Sequence, residues 1–122
     1  QFSSLFDVGF MDANEFPFTN GWLENNNEML NRFQLAKKTG ITVNGISDNV
    51  EHIAMLKNKY SPDVESMEGA ALHYVCLQEN IPFIQLRSLS NYVGERDKTK
   101  WKTKEAIHNL NIVLQNIISL LS

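Results

Sequence analysis

The 122-residue sequence has one cysteine, three prolines and no excess of positive charge. The lone Cys76 excludes an internal disulfide and a thiolate metal cluster. It fits a reducing compartment, so a cytoplasmic location is expected. Lysine and arginine number 11 against 14 aspartates and glutamates, a net charge of -3, which argues against a dedicated nucleic-acid binder. No apolar run is long enough to span a membrane, and no secretory leader pattern is present. Gly-rich phosphate loops of the dinucleotide or P-loop type are missing, and no cofactor is expected. His52, His73 and His108 fall in three different predicted helices without ligand spacing, so no metal is expected. The chain opens on Gln1 rather than methionine, which raises the expectation of a further segment upstream.

With 43% hydrophobic and 20% charged residues, the chain has the composition of a folded domain, and its length suits one domain at most. Residues 1–24 hold Phe2, Phe6, Phe10, Phe16 and Phe18 without a sustained period and read as an extended, loop-rich segment. Residues 25–38 predict a helix with Met29, Leu30, Phe33 and Ala36 near one face and Gly40 as its stop. Residues 39–46, β-branched and short, predict a strand. A helix is predicted over 48–59, opened by a capping box of Asp48 and Glu51. Another is predicted over 65–79, where Met67, Ala70, Ala71, Tyr74 and Val75 recur at helical spacing and Asn80 and Pro82 end it. Residues 81–89, apolar at both parities, predict a strand covered on both faces. From 103 to 121, Ala106, Ile107, Leu110, Val113, Leu114, Ile117, Ile118 and Leu121 form the longest apolar helical stripe in the chain. This order implies α/β layering. Two strands cannot cover so much apolar helix surface, so further strands are expected upstream of Gln1 or from another chain.

Two positions carry chemical interest before any family is considered. Glu68 falls on the edge of the apolar stripe, with Val64, Ala71, Leu72 and Val75 as its helical neighbours. A carboxylate there needs waiting donors; alternatively it is a first-turn acid favoured by the helix dipole, a role Glu65 also fits. Ser90 and Asn91 follow the predicted strand directly, where open α/β sheets bind ligands, although Ser-Asn also starts ordinary turns. The basic residues of 96–104 around Trp101 read as a solvated loop entering a helix rather than as a nucleic-acid patch.

The run Val64-Glu65-Ser66-Met67-Glu68-Gly69-Ala70-Ala71 resembles the V-E-M-E-(G/A)-A signature of the nucleoside phosphorylase and methylthioadenosine/S-adenosylhomocysteine nucleosidase superfamily, with one serine inserted. Ile81 to Asn91, reading IPFIQLRSLSN, resembles the superfamily strand that ends in Arg-x-x-Ser-Asp. Ser90-Asn91-Tyr92-Val93-Gly94-Glu95-Arg96-Asp97, then Trp101 and Ala106-Ile107, is similar to the narrower pattern of futalosine hydrolases, which release hypoxanthine from futalosine on a menaquinone pathway. The resemblance implies a partial three-layer α/β/α nucleoside phosphorylase-like fold lacking its N-terminal strands, with residues 1–122 as the C-terminal portion of a single domain. It implies that Met67 packs on a ribose, that Glu68 binds the ribose hydroxyls, and that Asn91 stands where many nucleosidases have a proton-donating Asp. Ser90 and Val43, the latter in the 42–46 segment that flanks the base, complete the candidate substrate contacts.

An amide cannot pass a proton at ordinary pH, but it donates and accepts hydrogen bonds. Asn91 therefore suits a 6-oxopurine, whose N7 and O6 are adjacent acceptors, better than adenine. The expected partner is a small purine nucleoside, the expected assembly is a homo-oligomer, and the 122 residues alone are expected to be inactive. The alternatives are another purine nucleosidase or phosphorylase, and a non-catalytic α/β fragment that self-associates.

Overall fold

A computed structural model describes residues 3–122, so the Phe2 expectation lies outside the described residues. The chain divides into two compact units. The first takes residues up to Asn44 with Pro62–Ile84; the second takes Gly45–Ser61 with Gln85–Ser122.

In the first unit, β1 (Gly40–Thr42) pairs in parallel with β2 (Val64–Ser66), in the register Gly40 to Val64, Ile41 to Glu65 and Thr42 to Ser66. Asp63 sets the start of the pair. Its carboxylate accepts from Thr39 N at 2.9 Å and faces Lys38 Nζ at 3.4 Å, while its own N–H donates to Thr39 O at 2.8 Å. Gly40 has no Cβ to crowd Val64, whose Cγ2 would stand 3.3 Å away. Val43 N donates to Ser66 O at 2.9 Å, which carries the pairing one residue further. Helix α2 (Gly69–Gln78) follows and packs on β1.

The end of α2 matches the expectation. Asn80 adopts φ 52, Ile81 N donates to Cys76 O at 2.8 Å and Asn80 N to Leu77 O at 3.3 Å. This is a Schellman closure with asparagine in the left-handed position. Phe18 joins the aromatic segment to this helix, edge-on to Phe6 at 5.0 Å and tilted against Tyr74 at 5.7 Å.

The second unit holds α1 (Val50–Tyr60) and α3 (Thr103–Leu121). The bounds of α3 are those predicted. Its stripe is only half covered: Ala106 and Ile117, three turns apart, are buried, whereas Ile107 and Ile118 are each 55% exposed. Leu56 of α1 is buried, as is Ser47 just before it.

Four expectations are corrected. Residues 25–38 form only a 3-10 turn, Glu28–Asn31, not a helix. Asn25 and Asn27 commit their amides to Phe83 O (2.8 and 3.4 Å), and Asn27 Oδ1 caps Met29 N at 3.0 Å. Such side chains offer the backbone an alternative to helix. The cap of α1 is Asn49, not Asp48: its Oδ1 accepts from Glu51 N and His52 N. The helix predicted from residue 65 starts at Gly69, because Val64–Ser66 is taken by the sheet. Residues 81–89 form no strand, since no described segment pairs with their backbone as a ladder.

The Asp63 clasp generates a pH prediction. The Thr39 amide and then the nearby Lys38 hold its carboxyl below the ordinary 3.8. A depressed folded value contributes stability above the unfolded pKa and loses it as pH falls through the lower folded value. Asp63→Asn should therefore lower the melting temperature at neutral pH and flatten its fall below about pH 4, read by thermal melts across pH.

Candidate active-site segments

The Met67–Glu68 pair lies at a strand-to-helix junction of the first unit. β2 ends at Ser66 and α2 begins at Gly69, so both residues lie between the two elements. Glu68 holds the N-cap position at φ -127 and ψ -14 but makes no side-chain cap bond. The cap comes from two hydroxyls instead. Ser66 Oγ accepts from Gly69 N at 3.2 Å, and Thr42 Oγ1, across the sheet, accepts from Ala70 N at 2.8 Å. Helix-start amides need such acceptors. Because Ser66 and Thr42 supply them, the Glu68 carboxylate is left uncommitted to its own helix.

This corrects the expected setting of Glu68. It is exposed, and Val64 is a strand residue rather than a helical neighbour one turn back. The carboxylate is therefore not a buried charge on an apolar stripe. Met67 is 49% exposed, while Val43 is buried and bonded to Ser66, one residue before Met67. Val43 thus pairs with the residue that precedes the Met67–Glu68 pair, across the sheet of the first unit. Ser66 and Thr42 were missed as site-forming residues. The signal for Ser66 was its hydroxyl three residues ahead of the helix; Thr42 acts through strand pairing that the sequence does not display.

Ser90 and Asn91 lie in the second unit, inside the irregular segment between α2 and the 3-10 turn Lys98–Lys100, rather than at a strand end. Ser90 Oγ donates to Asn91 Oδ1 at 2.6 Å, and Asn91 Nδ2 donates to Tyr92 O at 3.0 Å. One donor and one acceptor of the amide are used, which leaves one of each. The loop is closed by Lys102 N donating to Ser90 O at 2.8 Å. Its charges pair within the unit: Arg96 with Asp48 at 3.5 Å and Lys100 with Glu95 at 3.7 Å. Thr99, through its hydroxyl and then its amide, holds the Asp97 carboxyl below the usual carboxylate range.

Other chemistry is sparse among the described residues. No cluster of three or more His, Cys, Asp or Glu side chains could hold a metal, and no helix is long and apolar enough to cross a membrane. His73 stacks edge-on against Phe83 at 4.7 Å. An open groove is lined by Asn25, Asn27, Cys76, Asn80 and Phe83, none of them a predicted site residue.

The sequence profile of the phosphorylase superfamily matches residues 4–122, and the chain belongs to that superfamily. It is similar to the futalosine hydrolase of Thermus thermophilus, 32% identical over 106 residues, which cover 87% of this chain and 46% of that protein. The futalosine hydrolase of Streptomyces coelicolor is 33% identical over 70 residues, 57% of this chain and 28% of that protein. The 5'-methylthioadenosine/S-adenosylhomocysteine nucleosidase of Buchnera aphidicola subsp. Baizongia pistaciae is 29% identical over 94 residues, 75% and 37% of the two chains. The chain thus spans less than half the length of these relatives. No solved structure matches it significantly.

Thr42→Val tests the junction. The substitution keeps the shape but removes the acceptor for Ala70 N, and should cost about 1 kcal/mol by chemical denaturation. An unchanged stability would show that the β1-to-α2 bond does not hold the helix start.

Proposed function

We propose that the chain is the C-terminal portion of a single nucleosidase domain that hydrolyses the N-glycosidic bond of futalosine and releases hypoxanthine, in menaquinone biosynthesis. The observation that carries the reading is Asn91: a neutral amide, held by Ser90 and Tyr92, with one donor and one acceptor left for a ligand. The one N–H that remains can donate to N7 or O6 of a 6-oxopurine leaving group. The similarity to two futalosine hydrolases points the same way.

In this reading the sugar develops oxocarbenium character as the bond to the base breaks. Glu68 binds and polarises the ribose hydroxyls, Met67 packs on the sugar, Asn91 stabilises charge on the departing base, and Ser90 and Val43 line the substrate's surroundings. The contacts of Glu68 and Asn91 strengthen as charge develops, which is the condition for catalysis. The water-activating group belongs to the N-terminal half of the proposed domain, so the 122-residue chain alone is inactive.

The exposed surface supports further partners. In the first unit Met67, Leu72 and Val75 are exposed, and in the second Ile107, Ile118 and Leu120 are; apolar side chains left uncovered in this way favour a covering partner. The rest of the domain and a second copy are the proposed occupants, giving a homo-oligomer, and the cytoplasm is the proposed location.

The test is base release from futalosine and from adenine nucleosides by the full-length protein, with and without phosphate. Hypoxanthine release without a phosphate requirement is expected, with Glu68→Gln and Asn91→Ala each lowering kcat/KM by about 100-fold. Preferential adenine release would favour the methylthioadenosine-type nucleosidase instead. Phosphate dependence would favour a phosphorylase, and near-wild-type rates in either variant would overturn the site assignment. Hypoxanthine release by the purified 122 residues would overturn the claim that they are inactive alone.

A further inference from the structure

The first three amides of α2 are all taken, and none of them by the Glu68 side chain. Gly69 N donates to Ser66 Oγ at 3.2 Å, Ala70 N to Thr42 Oγ1 at 2.8 Å, and Ala71 N to the backbone oxygen of Glu68 at 3.1 Å. The two hydroxyls come from one rung of the sheet, because Thr42 and Ser66 are register partners in the β1–β2 pair. A single rung therefore delivers both acceptors to the start of the helix. Thr42 is a strand residue, and its branched side chain is stiff at χ1. Its hydroxyl is thus held by the sheet and not by the helix that it caps.

A helix start without these hydroxyls would compete for Glu68. The N–H groups of a first turn carry partial positive charge and favour an anion. Glu68 stands one, two and three residues before the three amides, and no other acidic side chain lies within three residues of them. An amide freed at Gly69 or Ala70 would find this carboxylate as the nearest acceptor in the chain. A carboxylate folded back on its own helix gives up lone pairs that a sugar hydroxyl would otherwise meet. A neutral hydroxyl satisfies the amide and leaves those lone pairs facing outward.

We propose that Thr42 and Ser66 are positioning residues for Glu68: by occupying the first two amides of α2, they hold its carboxylate off the helix and leave it to the ribose hydroxyls of the nucleoside. The proposal rests on Glu68 binding the ribose, as proposed above.

The experiment measures kcat and KM for hypoxanthine release from futalosine by the full-length protein. The variants are Thr42→Val, Thr42→Ser, Ser66→Ala, Glu68→Ala, and Thr42→Val made on Glu68→Ala. Where part of the population keeps its carboxylate on the helix, apparent affinity falls by the competent fraction, and saturating substrate draws the carboxylate back. Thr42→Val and Ser66→Ala should each raise KM about fivefold, the weight of one hydrogen bond, with kcat unchanged. Thr42→Ser keeps the acceptor and should match wild type. On Glu68→Ala no carboxylate remains to be diverted, so Thr42→Val should change nothing further. A purely structural cap would lower kcat as well and would weaken Glu68→Ala by the same factor as wild type. Either result, or an unchanged KM in both hydroxyl variants, overturns the proposal. Should Thr42→Val fail to unfold cooperatively in a thermal melt, Ser66→Ala, alone and on Glu68→Ala, decides. Glu68→Ala by itself separates the two levels: a wild-type kcat/KM there means that Glu68 does not bind the sugar, and the underlying reading fails. A large loss in Glu68→Ala beside unchanged kinetics in Thr42→Val and Ser66→Ala leaves that reading standing and removes the positioning role.

Discussion

The parallel pairing of β1 with β2 is the constraint on which the first unit depends. Three residues on each side are a small ladder, and an isolated pair of this size is marginal in water. Here it is anchored by the Asp63 carboxylate on the Thr39 amide and extended by Val43 on Ser66. The pairing draws Val64–Ser66 away from the helix that their neighbours favour, and so moves Met67 and Glu68 from a helix face to a junction. It also brings Thr42 within reach of Ala70, so that the sheet caps the helix. One register therefore settles where β2 stops, where α2 starts and why Glu68 is not needed as a cap.

Helices α2 and α3 were legible wherever local chemistry was sufficient. The stripe of α3 runs for five turns, and no other element competes for its backbone, so its bounds follow from periodicity alone. The close of α2 at Asn80 was legible because asparagine tolerates the left-handed conformation that a helix end demands. Failures came where a distant partner decided. The helical period is real from Ala70 to Val75, but nothing local shows that Thr39 and Thr42 claim the residues before it. Asn25 and Asn27 read as ordinary polar positions of a helix, yet their amides serve Phe83, some 56 to 58 residues further on. Residues 81–89 have a strand's composition and no ladder partner among the described residues.

For the candidate site, the residue types were legible and their settings were not. Glu68 was singled out for the cost of burying a carboxylate, and the structure removes that reason: the group is exposed. What remains is a different argument for its availability. The N-cap position is ordinarily filled by a short Ser, Thr, Asp or Asn that accepts from a helix amide; with Glu68 there, two hydroxyls from Ser66 and Thr42 do that work and the carboxylate keeps its acceptors. The serine that interrupts the superfamily signature is one of those two hydroxyls. Its insertion thus has a local physical role at the junction itself.

Asn91 follows the same logic in the second unit. The Asn91 amide is held by Ser90 and Tyr92, and an amide's orientation is enforced only by groups that cannot reverse their own hydrogen-bonding sense. A hydroxyl can reverse and a backbone carbonyl cannot. The Tyr92 carbonyl meets that condition, and its direction is held by Glu95 and the Trp101 indole. In the second unit the amide itself is held by its neighbours, whereas in the first the hydroxyls fix the helix start and leave the Glu68 carboxylate unbonded; both sets of bonds lie wholly within their own unit.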